Sequence, residues 1–153
     1  MQLLSAFDEA FNRSGWHGAT LAQSIQGVDD KVASWRPAPD RHNIWEVVVH
    51  AAFWKHVVRE RLTGKKDATF PYAGRNWFVC PSGERTFKAD VALLKSEHKK
   101  LRAVISGLRR AALEKPVHGR RNDTAAYTIR GITAHDLYHA GQIQLLKVLA
   151  RRT

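Results

Sequence analysis

His135 and His139 stand four residues apart in His135-Asp136-Leu137-Tyr138-His139-Ala140-Gly141-Gln142, a stretch that reads as helix. Residues i and i+4 of a helix lie one above the other on one face. Two imidazoles so placed can grip one metal ion. His50 supplies a third. Val47, His50, Trp54 and Val57 step by three, four and three, which puts His50 in the apolar stripe of its own helix. His56, six residues on, falls about 120° further round and leaves that stripe. Three inward imidazoles on two helices could hold a divalent ion and leave a coordination position open, the mark of a catalytic rather than a structural site. Such an ion acts as a Lewis acid or yields hydroxide from bound water near neutral pH. The competing account is a set of core histidines, each of which then needs its own buried partner.

Around these three, Glu46 lies one turn before His50 and is the candidate catalytic residue, placed to orient that histidine or to act as acid or base. Capping its own helix is the other use open to it. Asp136 and Gln142 flank the pair and could hold the free imidazole nitrogens, while Tyr138 points away from the metal line. His98 falls within the apolar seam of another helix and reads first as a core histidine. His17 lies in a break between helical segments and reads as a surface residue.

The elements that must position these residues are helical. Leu3, Leu4, Phe7, Ala10 and Phe11 recur at helical spacing; Asn12-Arg13-Ser14-Gly15 breaks the pattern, and Thr20 can cap a second segment through Leu21, Ile25 and Val28. A further turn spans residues 29–35, ended by Arg36-Pro37. Asn43 with Glu46 three residues on is a capping-box pattern, opening a helix that Thr63-Gly64 closes. Phe87, Val91, Leu94, His98, Leu101, Ile105 and Leu108 form a heptad-like seam that ends near Glu114-Lys115-Pro116. A basic, glycine-containing loop follows, and Thr128 can cap the last helix, from Ile129 to about Ala150. With no strand pattern, the prediction is an all-α, single-domain chain over residues 1–153: a four-helix bundle with an interrupted first helix layer. Between the second and third core helices lies a long loop, residues 63–85, with Phe70, Tyr72, Trp77, Phe78 and Cys80. A loop so rich in aromatics is expected to pack over an end of the core. It could wall a pocket together with Trp45 or Trp54.

Composition narrows the function. The apolar fraction of 44% and charged fraction of 25% are those of an ordinary soluble domain. Cys80 is the single cysteine, so an intrachain disulfide and a thiolate-only metal site are excluded, and a reducing, cytoplasmic setting is expected. The thiol reads as a half-buried small residue, with nothing nearby to lower its pKa. The N-terminal residues do not form a secretory signal, and charges interrupt the densest apolar segment, Ile44 to Val58, which argues against a membrane span. Twenty-five Lys and Arg against 14 Asp and Glu give a net charge of +11 and favour anionic partners. The basic residues between Lys95 and Arg121 lack interleaved aromatics, which weighs against a nucleic-acid groove.

Asn43-Ile44-Trp45-Glu46-Val47-Val48-Val49-His50, the preceding Trp35-Arg36-Pro37-Ala38-Pro39, and the His135 to Gln142 stretch resemble the signatures of the DinB/YfiT-like family, in the same order along the chain. The resemblance implies a four-helix bundle binding one divalent metal through His50, His135 and His139. Zinc or nickel is the first expectation; iron, manganese and copper are the others. It further implies thiol chemistry of the kind done by bacillithiol transferases and a mycothiol-dependent maleylpyruvate isomerase, or metal-dependent hydrolysis, and often a homodimer. The expected protein is a bacterial-type thiol S-transferase or hydrolase acting on a small molecule, for which the basic surface suits an anionic low-molecular-weight thiol. A non-enzymatic metal-binding, ligand-binding or nucleic-acid-binding module is the alternative.

Overall fold

The helix that carries His50 is buried almost all round over its first half: Ile44 to Ala52 are all withdrawn from solvent. A helix apolar on every side belongs at the centre of a bundle, and the other elements gather about it. The computed structural model describes residues 2–13, 15–66 and 69–152. In chain order the helices are α1 (Gln2–Phe11), α2 (Leu21–Ile25), α3 (Asp30–Ser34), α4 (Ile44–Thr63), α5 (Phe87–Gly107) and α6 (Ala125–Ala150). α4 packs against α5 and α6, while α1 and α2 lie along α6. The fold is the expected all-α bundle, with α1 to α3 as its interrupted first layer. Ser14 in the first break and residues 67–68 of the long loop lie outside the described residues.

The helix starts differ from the sequence expectation in instructive ways. Asn43 caps α4, its Oδ1 accepting from the Glu46 amide at 2.8 Å. The return arm of the capping box is not made, because the Glu46 carboxylate turns instead to Arg36, His42 and the Cys80 amide. The full reciprocal box forms at Thr20 and Gln23 of α2. α4 ends as expected at Gly64, in the left-handed conformation with φ 69°.

α6 begins a turn earlier than expected. Thr124 is the cap, accepting from the Tyr127 amide at 3.1 Å, and Thr128 lies within the helix, its hydroxyl donating to the Thr124 carbonyl. α5 stops at Gly107, short of the expected 114, because Leu108 turns extended; a single 3-10 turn, Arg110–Ala112, follows. The basic loop is in fact a small antiparallel hairpin, β1 (Pro116–Val117) and β2 (Arg120–Thr124), turning at His118-Gly119. Gly119, at φ 73°, supplies the positive dihedral a two-residue turn needs. β1 is only two residues long and β2 is wholly polar, so no apolar alternation announced them.

The core forms two clusters. The larger joins Ile44, Trp45, Val47, Val48 and Val49 of α4 with Phe87 and Leu94 of α5, and the long loop closes over it with Phe70, Phe78 and Cys80 buried. The smaller holds Phe7, Val58, Leu101, Ile105, Ile129 and Ile132. Among the described residues no helix is long and apolar enough to cross a membrane.

Candidate metal centre

α4 and α6 bring the three expected histidines together. His50 Nε2 lies 3.0 Å from His135 Nε2, which lies 3.1 Å from His139 Nε2. Their candidate ligand atoms all fall within 4.8 Å of one another, so this cluster could hold a metal ion.

The outer nitrogens decide which lone pairs are free. His50 Nδ1 is 2.7 Å from the Asn76 carbonyl, which can only accept, so Nδ1 carries the proton and Nε2 presents its lone pair. His139 Nδ1 donates in the same way to Gln142 Oε1 at 2.7 Å, while the Gln142 amide donates to the Tyr138 hydroxyl at 3.0 Å and is thereby held in that orientation. His135 Nδ1 is buried with no partner among the described residues. Two lone pairs, on His50 and His139, therefore converge on His135 Nε2, which can offer at most one proton. One acceptor is left facing other nitrogens, and a cation removes the conflict. Two imidazoles bonded tetrahedrally to one ion at about 2.0–2.1 Å stand about 3.3 Å apart, close to the spacing found. The residues fit a divalent ion.

The electrostatics agree. Burial lowers the pKa of His50; burial and then the neighbouring imidazoles push His135 down to about 3, and burial pushes His139 down to about 4. All three are neutral near pH 7, the form that ligates. Aromatic rings wall the cluster. Trp77 of the long loop stacks on His50 at 3.8 Å and 10°, and His42 stacks on the other side of this arrangement, 3.6 Å from Trp77. Trp54 presents its edge to His50 and His135 at 6.4 Å. Asn76 ties these parts together: in the left-handed region at φ 70°, it accepts from Trp54 Nε1 through its side chain while its carbonyl holds His50.

Other expected residues lie elsewhere. Trp45 is buried away from the cluster, donating to Asp90 at 2.7 Å. Asp136, expected beside an imidazole, faces the opposite way and pairs with Lys55. His98 is a core residue between Phe7 and Phe11. His56 does leave the stripe, yet it is buried, near Glu97. His17 is exposed. Cys80 is 2% exposed, and burial pushes its thiol up to about 11, the opposite of an activated nucleophile. Glu46 takes the Arg36 guanidinium and, at 2.9 Å, His42 Nδ1. Burial works to raise its pKa, but the hydrogen bonds from Arg36, His42 and the Cys80 amide outweigh it and hold the carboxyl below its ordinary value. It reaches the cluster through His42, Trp77 and His50, stacked in turn. His42 and Asn76 escaped the sequence reading; no spacing rule points to a stacking partner or a loop carbonyl.

A cavity of about 510 Å³ opens beside His135 and Trp54, and a second of about 370 Å³ lies against His42, Trp77, Tyr138 and Gln142. Long helices packed as a bundle, with three convergent imidazoles between α4 and α6, define a metal-competent helix bundle. The sequence model of the DinB superfamily matches residues 15–143, and the chain belongs to that superfamily. No curated protein and no solved structure matches it.

Proposed function

We propose that the protein is a divalent-metal-dependent enzyme in which His50, His135 and His139 are the ligands, acting as a low-molecular-weight thiol S-transferase or a hydrolase. The observation that carries this is the unreconciled convergence of Nε2 lone pairs beside an open cavity. When bound, the ion would polarise a thiol or water into a nucleophile. The donor set suits zinc or nickel first, with iron, manganese and copper also accommodated. Asn76 and Gln142 fix the ring planes of His50 and His139, and Trp77 and Trp54 exclude water from two sides. Glu46, ionised and committed to Arg36 and His42, is assigned to holding the stack against His50 rather than to moving protons. An anionic small thiol suits the basic chain, a reducing compartment suits its single free thiol, and self-association suits the exposed apolar line of Tyr138, Leu145 and Val148 on α6.

Protein purified without chelator is expected to carry about one divalent ion per chain by elemental analysis, and His50→Ala and His139→Ala to carry almost none. Absence of stoichiometric metal from the wild type would end the reading. Metal without turnover in a screen of small thiols against electrophiles and of hydrolysable esters would make it a structural ion. Gln142→Leu, which removes the acceptor from His139 Nδ1, is expected to weaken metal affinity about 10–100-fold in chelator competition, the usual effect of losing such a partner.

A further inference from the structure

The cavity beside His135 carries positive charge that its own walls do not neutralise. Arg61, Arg120 and Arg130 line it, with Asp123 as its one carboxylate among the described residues. Asp123 takes Arg120, Oδ2 to Nε, at 3.2 Å. Arg61 and the exposed Arg130 form no salt bridge among the described residues, although the Asp123 charge also reaches Arg61. Arg61 is half-buried and lies over the Trp54 ring, its guanidinium carbon 5.5 Å from the ring centre. Burial and then the nearby charge of Arg120 lower its pKa, with Asp123 acting the other way. Burial is the larger cause, and the Arg120 contribution records a second cation close by. Three guanidiniums against one carboxylate leave two charges uncompensated.

Arg130 is rooted five residues before His135 on α6, about 7.5 Å along the axis. Arg61 is rooted seven residues beyond Trp54 on α4, but its side chain folds back so that the guanidinium meets the Trp54 ring, which in turn meets His135 edge-on. Val58 and Ile132 also line the cavity. The cavity thus brings imidazole, apolar wall and guanidinium forks together, with the Trp54 ring in contact with both His135 and Arg61. A guanidinium presents paired donors matched to a carboxylate, and a cavity wall enhances such a bond.

We infer that this cavity is the substrate arm of the three-histidine site, and that it takes a small organic acid with two negative groups for Arg61 and Arg130, an apolar portion against Val58 and Ile132, and a reacting atom that reaches the imidazole. The inference rests on the catalytic reading of the histidines only for which end reacts; recognition of the acid belongs to Arg61 and Arg130. Asp123 sets the selectivity, holding Arg120 and repelling a third negative group.

Calorimetric titration with n-butylsuccinate tests it, on chelator-stripped and metal-loaded protein alike, with hexanoate and n-butylsuccinamide as controls. The diacid is expected to bind about tenfold or more tightly than either control, and Arg61→Gln and Arg130→Gln each to lose about 10–100-fold, the worth of a hydrogen bond to a charged group. Asp123→Asn should tighten binding, an opposite sign that a misfolded variant would not give. Lys99→Gln, on the exposed face of α5, should change nothing. Equal losses from Lys99→Gln, or no preference for the diacid in either form of the protein, would overturn the inference. Arginine-dependent binding by protein that proves to hold no metal would uphold this arm while the metal reading fell.

Discussion

Asp136→Ala is expected to destabilise the protein by about 3–5 kcal/mol, measured as a shift of the urea midpoint at constant slope. Lys55 of α4 and Asp136 of α6 are both 0% exposed, with Lys55 Nζ 2.7 and 2.5 Å from the two carboxylate oxygens. The Lys55 ammonium also sits 5.0 and 5.1 Å from the rings of Phe7 and Phe11, one from each core cluster. Burial lowers the pKa of Lys55 and raises that of Asp136, while each charge pulls the other back toward ionisation. Removing the carboxylate leaves an ammonium in apolar surroundings with nothing but ring faces to meet it. Removing both charges is a different matter. Desolvating an ion pair consumes most of its Coulombic gain, so Lys55→Met with Asp136→Leu is expected to lie within about 1 kcal/mol of the wild type or above it. The contrast between the single and double variants is the decisive reading. A single-variant loss under about 1 kcal/mol would mean that water reaches Lys55. Asp136 adjoins His135, and Lys55 lies five residues beyond His50, so the pair ties together the two helices that present the imidazoles.

This pair also shows where sequence reading stops. The three histidines were legible because helical spacing alone dictates direction: four residues return to the same face, and a step of three, four and three marks a stripe. Gln142 was legible for the same reason, three residues from His139. Lys55 was not, since a lysine within an apolar run reads as an interruption, and its partner comes from a helix 81 residues away. Asp136 was read as a neighbour of the histidines in sequence, but adjacent residues on a helix point about 100° apart. Glu46 satisfied a capping pattern that a stronger partner, Arg36, then overrode. Asn76 acts through a carbonyl, which every residue has. The bundle needed only periodicity, whereas the hairpin at 116–124, with no apolar alternation along it, needed its turn to be recognised.

His98 carries the other large expectation. It sits in the α5 seam at 4% exposure, flat between Phe7 and Phe11 at ring separations of 4.5 and 3.6 Å, and neither ring nitrogen has a partner among the described residues. Burial first, and then the charges of Lys55 and Arg102, push its pKa down to about 2. The folded value therefore lies below the unfolded value of about 6.5, so the fold holds this ring neutral and the unfolded chain takes up the proton on acidification. The stability it contributes is fully present above about pH 6.5 and is lost as the pH falls toward 2, at about 1.4 kcal/mol per unit. Between pH 6.5 and 4 the loss from this one group is about 3 kcal/mol. His98→Leu, close to it in volume, removes both the titration and two unsatisfied nitrogens whose burial is itself unfavourable. The variant is expected to match or exceed the wild type at pH 7 and to lead by about 3 kcal/mol at pH 4, measured by urea unfolding of chelator-stripped protein. The histidines of the metal centre titrate in both proteins, so their contribution cancels in the difference. Parallel stability curves for the two would show that His98 is solvated, or protonates, within the folded bundle. A gap that opens only below pH 6.5 would show that one core imidazole, and not the metal centre alone, sets the acid limit of the fold.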